Sequence, residues 1–207
     1  CFINSSSVSN IKFGKKFYMI QGLFNKNNNQ ENLNFSYKKG KTKVFKRNGK
    51  LFKKISEHIG QFPLVMVSPY DNDLIYGGSI FRRNLMDGII SQTDKKFLVD
   101  LISYKRILEQ RNALLKMNYK KPKLDMGVLE IYDEKIIDLG NIIHEKRKLF
   151  IDIYKKIFKS YYDLISENKE SVEINFKSQL NNNNYKDLIK DSLERDLIFQ
   201  FTTQGPH

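Results

Sequence analysis

The triplet Gly40-Lys41-Thr42 has the residue types that end a phosphate-binding loop. In such a loop, backbone N–H groups and the first turn of a helix hold the phosphate, and a glycine stands five residues before the Gly-Lys pair. Phe35 stands at that position, and strand-like patterns lie on both sides of the triplet. The triplet therefore predicts a hairpin turn. No apolar run ends in paired acids, so we assign ATP hydrolysis to no residue of this chain.

Arg82-Arg83 follows the Gly77-Gly78 pair and precedes Asp87. A guanidinium group suits bidentate contacts with phosphate or carboxylate. Two interpretations follow from this. In the first, the arginines have a functional role, either as contacts with the DNA backbone or as a strut between two parts of the fold. In the second, they form ion pairs with Asp87 or Asp73.

The histidines and the single cysteine give no catalytic or metal-binding pattern, since His58, His144, His207 and Cys1 are far apart in sequence. One cysteine excludes an internal disulfide and fits a reducing cytosol. Cys1 followed by Phe-Ile-Asn-Ser also fits the start of a mature bacterial lipoprotein. No apolar run approaches the ~18 residues that a membrane span needs.

Positive charge is concentrated in the first third of the chain. The net charge is +13, and residues 1–62 hold thirteen Lys and Arg against two acids, Glu31 and Glu57. Such an excess indicates a polyanionic partner, and DNA is the leading candidate. A lysine-rich composition inherited from an AT-rich genome is the other explanation.

The first third predicts short strands, and the pattern changes to helix at Thr93. Period-two alternation and turn residues mark the β-rich part, and Thr93 is a plausible helix N-cap. The expected elements there are strands at 17–20, 23–24 and 33–37, a polar connector at 25–32, a strand from about Thr42, a hairpin at Asn48-Gly49, a short helix at 56–59 and a buried strand at 64–67.

Two long helices are predicted in the middle of the chain, with Pro122 ending the first. The second spans 124–165 and carries a heptad-like seam formed by Leu129, Tyr132, Ile136, Leu139, Ile143, Phe150, Tyr154, Ile157, Tyr161 and Leu164. Together the helices predict an antiparallel arm, although an ordinary helical subdomain fits the same seam. Beyond it we expect a strand at 172–176, a loop at 181–184, a short helix at 185–193 and a final strand at 197–203.

Several short segments of this chain match the sequences of one known family, with the same spacing between them. They are Ser68-Pro69, Asp71, Leu74-Ile75, Gly78, Arg82-Arg83, Asp87, the run 104–116 (YKRILEQRNALLK) and, more weakly, the closing 203–207. Through these segments the chain resembles the RecF family, which are bacterial recombination-mediator ATPases of the SMC-like group. Tyr70 and Phe81 depart from the pattern, because the family usually has acids there.

The resemblance implies an α+β fold, the β-rich part of an ABC/SMC-like ATPase head with an inserted antiparallel helical arm. The expected divisions are a head lobe at 1–67, the arm at 68–168 and a return to the head with strands at 169–207. The family's phosphate-binding loop is expected before Cys1, and its ABC signature and Walker B acids after His207. The chain is then an internal fragment that binds no ATP itself, and whether it is an enzyme stays open.

The resemblance also implies a function in DNA repair, replication restart and the SOS response in the cytoplasm. The whole protein is expected to bind ATP and Mg²⁺, to dimerise, to bind duplex DNA and single-strand/duplex junctions, and to help load recombinase at gaps with RecR as a partner.

Alternation along the strand from Thr42 predicts that four basic side chains project together. The candidate DNA contacts are Lys39, Lys41, Lys43 and Arg47, with Arg82, Arg83, Lys105 and Arg106 in addition.

The alternative hypothesis is a non-enzymatic helical-hairpin binding protein, with a lipid anchor at Cys1. The codons upstream of Cys1 discriminate the two, because a phosphate-binding loop supports the first hypothesis and a signal peptide with a lipobox supports the second.

Overall fold

A computed structural model describes residues 6–120 and 125–206 and divides the chain into two compact units. The first unit ends at Asp71 and the second begins at Asn72. The first is built on a β-sheet and the second is helical, as the α+β class predicts. The predicted three-part division, with 169–207 assigned to a head, stays a prediction.

The first unit contains a four-stranded antiparallel sheet in which consecutive strands are neighbours. The strands are β1 (Phe17–Lys26), β2 (Asn29–Lys38), β3 (Val44–Arg47) and β4 (Lys50–Leu51). Asn27 and Asn28 connect β1 to β2 with φ angles of 49° and 63°, the left-handed conformation that a tight hairpin turn needs. The predicted connector at 25–32 was therefore wrong, because the strand pairing continues to the turn.

Aromatic rings form the core of this unit on one face of the sheet. Phe45 lies between Phe35 and Phe52, with ring centroids 6.4 and 5.2 Å away. Tyr18 extends the row next to Phe35. The Asn48-Gly49 turn is confirmed, with both residues at positive φ, and a 3₁₀ helix (Ile55–His58) occupies the predicted short helix.

The predicted buried strand at 64–67 was wrong. The four residues Leu64, Val65, Met66 and Val67 are exposed and belong to no strand. An apolar run becomes a buried strand only where a neighbouring strand supplies hydrogen bonds, and β1–β4 do not pair with this one.

The second unit contains α1 (Asp73–Tyr76), α2 (Ser79–Thr93), α3 (Lys95–Lys120), α4 (Met126–Ile165), α5 (Tyr185–Asp191) and α6 (Leu193–Phe199). Thr93 is the last residue of α2, so its assignment as an N-cap was wrong. Asp94 caps α3 instead, since its carboxylate accepts the Phe97 N–H at 2.9 Å. Pro122 lies outside the described residues.

The core of the second unit lies where α3 and α4 pack together and α5 covers them. Of the predicted seam on α4, Leu129, Ile136 and Ile143 are buried. Ile157 and Tyr161, together with Leu164, are exposed. The heptad pattern thus predicted the helix correctly, but not how much of the seam is covered.

The two strands predicted near the end of the chain were wrong. Residues 171–178 form no strand, and in the segment expected as the final strand α6 covers residues 197–199 while residues 200–203 belong to no strand. Asp196 in α6 holds the residues after the helix, because its carboxylate accepts both the N–H and the hydroxyl of Thr203, at 2.8 and 2.7 Å. None of the helices from α1 to α6 is long and apolar enough to cross a membrane.

Gly140 allows α5 to lie directly against α4. A Cβ at this position would meet Cε1 of Tyr185 at 2.3 Å, whereas a Cβ on Gly88 in α2 would meet nothing within 4 Å. We predict that Gly140→Ala lowers the free energy of unfolding by about 1–3 kcal/mol through overpacking. Gly88→Ala is the matched control and is expected to raise it, by up to about 1 kcal/mol.

Urea unfolding followed by circular dichroism at the helix band measures both variants. Stabilisation by both substitutions would show that Tyr185 moves aside at no cost in stability.

Candidate nucleic-acid interface

Seven exposed lysines gather at one end of the sheet in the first unit, where two loops lie side by side. The Lys39 N–H donates to the Lys16 carbonyl at 3.1 Å and joins the loop after β2 to the segment before β1. We call this surface the basic end; it comprises Lys12, Lys15, Lys16, Lys38, Lys39, Lys41 and Lys43, all of them exposed. Its charge comes from adjacent loops rather than from one strand.

The predicted strand from Thr42 was wrong in its start and therefore in its register. β3 begins at Val44, and Lys39, Lys41 and Lys43 lie in the loop before it. Gly40 has a φ of 75°, and the Lys41 N–H donates to the Lys38 carbonyl at 2.9 Å, as in a tight turn. The Gly-Lys-Thr triplet is thus part of a loop between two strands and precedes no helix. These residues do not fit a phosphate-binding loop.

Arg47 does not join these lysines, contrary to the prediction. Its guanidinium forms a bidentate ion pair with Glu31, donates to Gln61 Oε1 at 2.8 Å and lies 5.6 Å from the centre of the Phe62 ring. Asn48 donates to the same Glu31 carboxylate at 2.6 Å. Arg47 therefore holds the Asn48-Gly49 end of the sheet together, which leaves lysines as the accessible charges of the basic end.

Glu31 is the buried acid of this arrangement. Hydrogen bonds and charge from Arg47, with a further bond from Asn48, lower its pKa from 4.5 to about 2, against the opposing effect of its burial. The other acid of the first third, Glu57, is exposed in the 3₁₀ helix.

The arginine pair in α2 makes neutral contacts. Arg82 donates to the carbonyls of Leu74 and Gly77 at 2.8 and 3.2 Å, which are acceptors at the end of α1. Arg83 donates to the Ser79 hydroxyl at 2.7 Å, and burial and the charge of Arg147 lower its pKa. The expected hydrogen-bonded pair with Asp87 is absent here, because that carboxylate binds Arg147 instead.

The basic residues of α3 divide into two exposed ones and a buried one. Lys105 and Arg106, two of the candidate DNA contacts, are exposed. Arg111 in the same helix is fully buried. Its Nε donates to Asp133 and its Nη1 to Asp196, both at 2.6 Å, and Nη1 also donates to the Thr202 hydroxyl at 2.9 Å.

Arg147 is the second buried arginine. It binds both carboxylate oxygens of Asp87 at 2.8 Å and donates to the Pro206 carbonyl. In the sequence Arg147 lies between the seam residues Ile143 and Phe150, and a charge within an apolar seam indicates that it is paired.

The two buried arginines and their neighbours hold the segment from Thr202 to Pro206 against the helices. Asn112 Oδ1 accepts the N–H and the hydroxyl of Thr202, both at 2.8 Å. Gln179 accepts the Gly205 N–H at 3.1 Å, and the Tyr185 hydroxyl donates to the Gln204 carbonyl at 3.4 Å. Burial raises the pKa of Tyr185, so this phenol stays protonated. The contacts are structural, and no group of three metal-ligating side chains occurs among the described residues.

The comparisons with known proteins extend along the whole chain. Over 206 residues the chain is 40% identical to the DNA replication and repair protein RecF of Flavobacterium johnsoniae, and it is 38% identical over 205 residues to that of Bacteroides thetaiotaomicron. These alignments cover 100% and 99% of the chain. A solved structure of the recombination mediator protein RecF with ATP in the RecFOR pathway superimposes with a TM-score of 0.86 at 30% identity.

The chain belongs to the RecF family. A second family structure, RecF-ATPrS, superimposes with a TM-score of 0.89 at 30% identity and contains the whole chain. The chain spans 57% and 55% of the lengths of the two relatives, and 58% of the second structure. A scan against family profiles gives no match.

Some of the residues that carried the resemblance lie among the buried contacts of the second unit. The matching segments include Asp87, Tyr104, Arg111 and Asn112, and the first three of these are buried. Tyr104 lies with its hydroxyl 3.2 Å from that of Tyr185, and burial raises its pKa to about 12. Part of the matched sequence therefore holds the helices and the 202–206 segment together.

Arg111→Met tests the buried ion pairs. The substitution keeps an unbranched side chain but leaves Asp196 and Asp133 without their cation, so we predict a decrease of about 3–5 kcal/mol in the free energy of unfolding. Arg106→Met on the exposed face of α3 is the matched control and is expected to change it by less than about 0.5 kcal/mol. Urea unfolding measures both, and equal effects would contradict the structural role of Arg111.

Glu31→Gln tests the acid at the Asn48-Gly49 end of the sheet. Because the folded pKa of about 2 lies below the ordinary 4.5, the ionised form stabilises the fold. That contribution is complete above the ordinary pKa and disappears as the pH falls towards 2. We predict that Glu31→Gln is less stable at neutral pH and shows a flatter pH dependence across this window.

Urea unfolding followed by near-UV circular dichroism, to which the aromatic rings of this unit contribute, measures the stability at each pH. Glu57→Gln, which changes an exposed acid, is the control and should keep the pH dependence of the parent chain. An identical pH profile for the parent and Glu31→Gln would show that Arg47 does not stabilise the ionised carboxylate.

Proposed function

We propose that the chain is the part of a DNA replication and repair protein that contacts the phosphate backbone of DNA through the basic end. The observation that carries the proposal is the juxtaposition of seven exposed lysines on two adjoining loops and the end of β2, with neither acid of residues 1–62 among them. The names of the relatives support the same process.

The chemistry of the basic end favours backbone contacts over base-specific recognition. Lysine ammonium groups on flexible stems act as point charges, whereas base-edge reading needs groups such as guanidinium or amide held in a fixed plane. Arg47, the guanidinium in the first unit, is held by Glu31. The resulting affinity depends strongly on salt and weakly on sequence.

The activity of the whole protein extends this proposal. We propose that the whole protein binds DNA in an ATP-dependent manner and helps load recombinase at single-strand gaps. The solved relatives are named as recombination mediator proteins with ATP and with ATPrS, which supports the nucleotide part of this proposal. ATP and Mg²⁺ belong to the whole protein in this proposal, because Gly40-Lys41-Thr42 forms a loop between strands. Dimerisation, RecR and recombinase as partners, and a cytoplasmic location are proposed on the same basis.

The remaining candidate contacts differ in whether their side chains already donate hydrogen bonds within the protein. Lys105 and Arg106 are exposed on α3 and available to phosphate. Arg82 and Arg83 already donate to carbonyl and hydroxyl oxygens, so binding DNA there requires exchange of existing hydrogen bonds. The basic end is expected to contribute most.

We predict that changing Lys39, Lys41 and Lys43 to Ala weakens duplex binding and flattens its salt dependence. The slope of log K against log salt should become shallower by about 0.9 for each phosphate that the variant no longer neutralises. The matched control removes three exposed lysines of α4, at positions 155, 156 and 159, and so changes the net charge equally. A salt titration of labelled duplex binding measures all three proteins.

Arg47→Ala separates structure from binding in the same assay. It should lower the stability of the first unit while keeping the salt slope of the folded protein, because its guanidinium faces Glu31. An unchanged slope and affinity in the triple loop variant would show that the basic end is only a solvated surface.

A further inference from the structure

Phe13 lies at the tip of the turn that forms part of the basic end. The Lys15 N–H donates to the Lys12 carbonyl at 2.9 Å, which closes a turn with Phe13 and Gly14 at its centre. Gly14 has a φ of 74°, the conformation that the third residue of a type II turn requires. The Phe13 side chain is 100% exposed. The turn therefore presents a bare aromatic ring between two lysines.

The neighbouring loop surrounds this ring with further positive charge. The bond from the Lys39 N–H to the Lys16 carbonyl sets the two loops side by side, and Phe17, the first residue of β1, pairs with Lys38. Phe17 is also exposed, at 61%. Two exposed rings thus lie among seven lysines on one end of the sheet.

Exposed aromatic rings among lysines match the chemistry of single-stranded nucleic acid. Unpaired bases stack on aromatic side chains while lysines follow the backbone, and stacking tolerates any base because each has a π face. In a duplex the base faces are already stacked on one another, so the rings gain nothing there. The surrounding lysines favour a polyanionic occupant over an uncharged protein surface.

We infer that the Phe13 turn is a stacking platform for single-stranded DNA, with Phe17 as a second ring. This rests on the proposed function and deepens it: the lysines hold phosphates of either duplex or single strand, and the rings select unpaired bases. The basic end then distinguishes the single strand of a gap from its flanking duplex.

The test compares oligo(dT) and duplex binding by the 207-residue chain and its variants. Phe13→Ala is expected to lower oligo(dT) affinity about five- to tenfold and to leave duplex affinity and both salt slopes unchanged. Because the ring is fully exposed, the substitution takes nothing from the core. Tyr161→Ala, which removes an exposed aromatic ring from α4, is the matched control and should change neither affinity.

A second variant gives a direct signal. The chain has no tryptophan, so Phe13→Trp introduces a single reporter. It should keep the oligo(dT) affinity, and its emission should be quenched by oligo(dT) and unaffected by duplex.

The outcomes separate this inference from the proposed function. Unchanged oligo(dT) affinity in Phe13→Ala, with weakened binding in the triple lysine variant, would overturn the stacking platform alone. Equal decreases for duplex and oligo(dT) would overturn the selectivity. A blue shift of Phe13→Trp on phosphatidylserine vesicles without quenching by oligo(dT) would assign the ring to a lipid surface. No effect of the lysine changes would remove the proposed function as well.

Discussion

The buried charge of Arg111 is the constraint on which the helical unit depends. A guanidinium group withdrawn from water is strongly unfavourable unless carboxylates and hydrogen-bond acceptors surround it. Asp133 on α4 and Asp196 on α6 supply the carboxylates, and Thr202 supplies a further acceptor. The position of α6 and of the residues after it therefore follows from the need to neutralise one side chain on α3.

Arg147 applies the same constraint on the other side of the α3–α4 pair. Asp87 brings α2 to α4, and the Pro206 carbonyl adds the last described part of the chain. Because both arginines also contact the 202–206 segment, its backbone is held by side chains from several helices rather than by strand pairing. Hydrogen bonds from Asn112, Gln179 and Tyr185 complete the arrangement.

Charge is organised differently in the sheet unit. Glu31 and Arg47 neutralise each other at the Asn48-Gly49 end, while seven lysines stay exposed at the other. The separation matters because a carboxylate beside the lysines would weaken their attraction for phosphate. The compensated end stabilises the hairpins, and the uncompensated end is available for a polyanion.

Local sequence patterns predicted a helix, strand or turn correctly where residues close in sequence determine it. Alternation of apolar residues predicted β2, the Asn-Gly pair predicted the β3–β4 turn, and the heptad seam predicted α4. Local patterns failed at 64–67 and 197–203, because an apolar run becomes a strand only where a partner strand exists. They also failed at Thr93, since Asp94 one residue later is the better cap for α3.

The sequence by itself determined the class of the protein, the excess of positive charge in its first third and the family it belongs to. Composition and the spacing of matching sequence segments can be read without knowing how the chain folds. Only the tertiary structure decided which charges are available. Arg47 and Arg111 look like surface cations in the sequence, yet each is held by a carboxylate on another element. Lys39 and Lys43 stay exposed in their loop, while Glu31 lies at the opposite end of the sheet. The difference arises because burial and pairing of a charge depend on residues distant in sequence, which only the fold brings together.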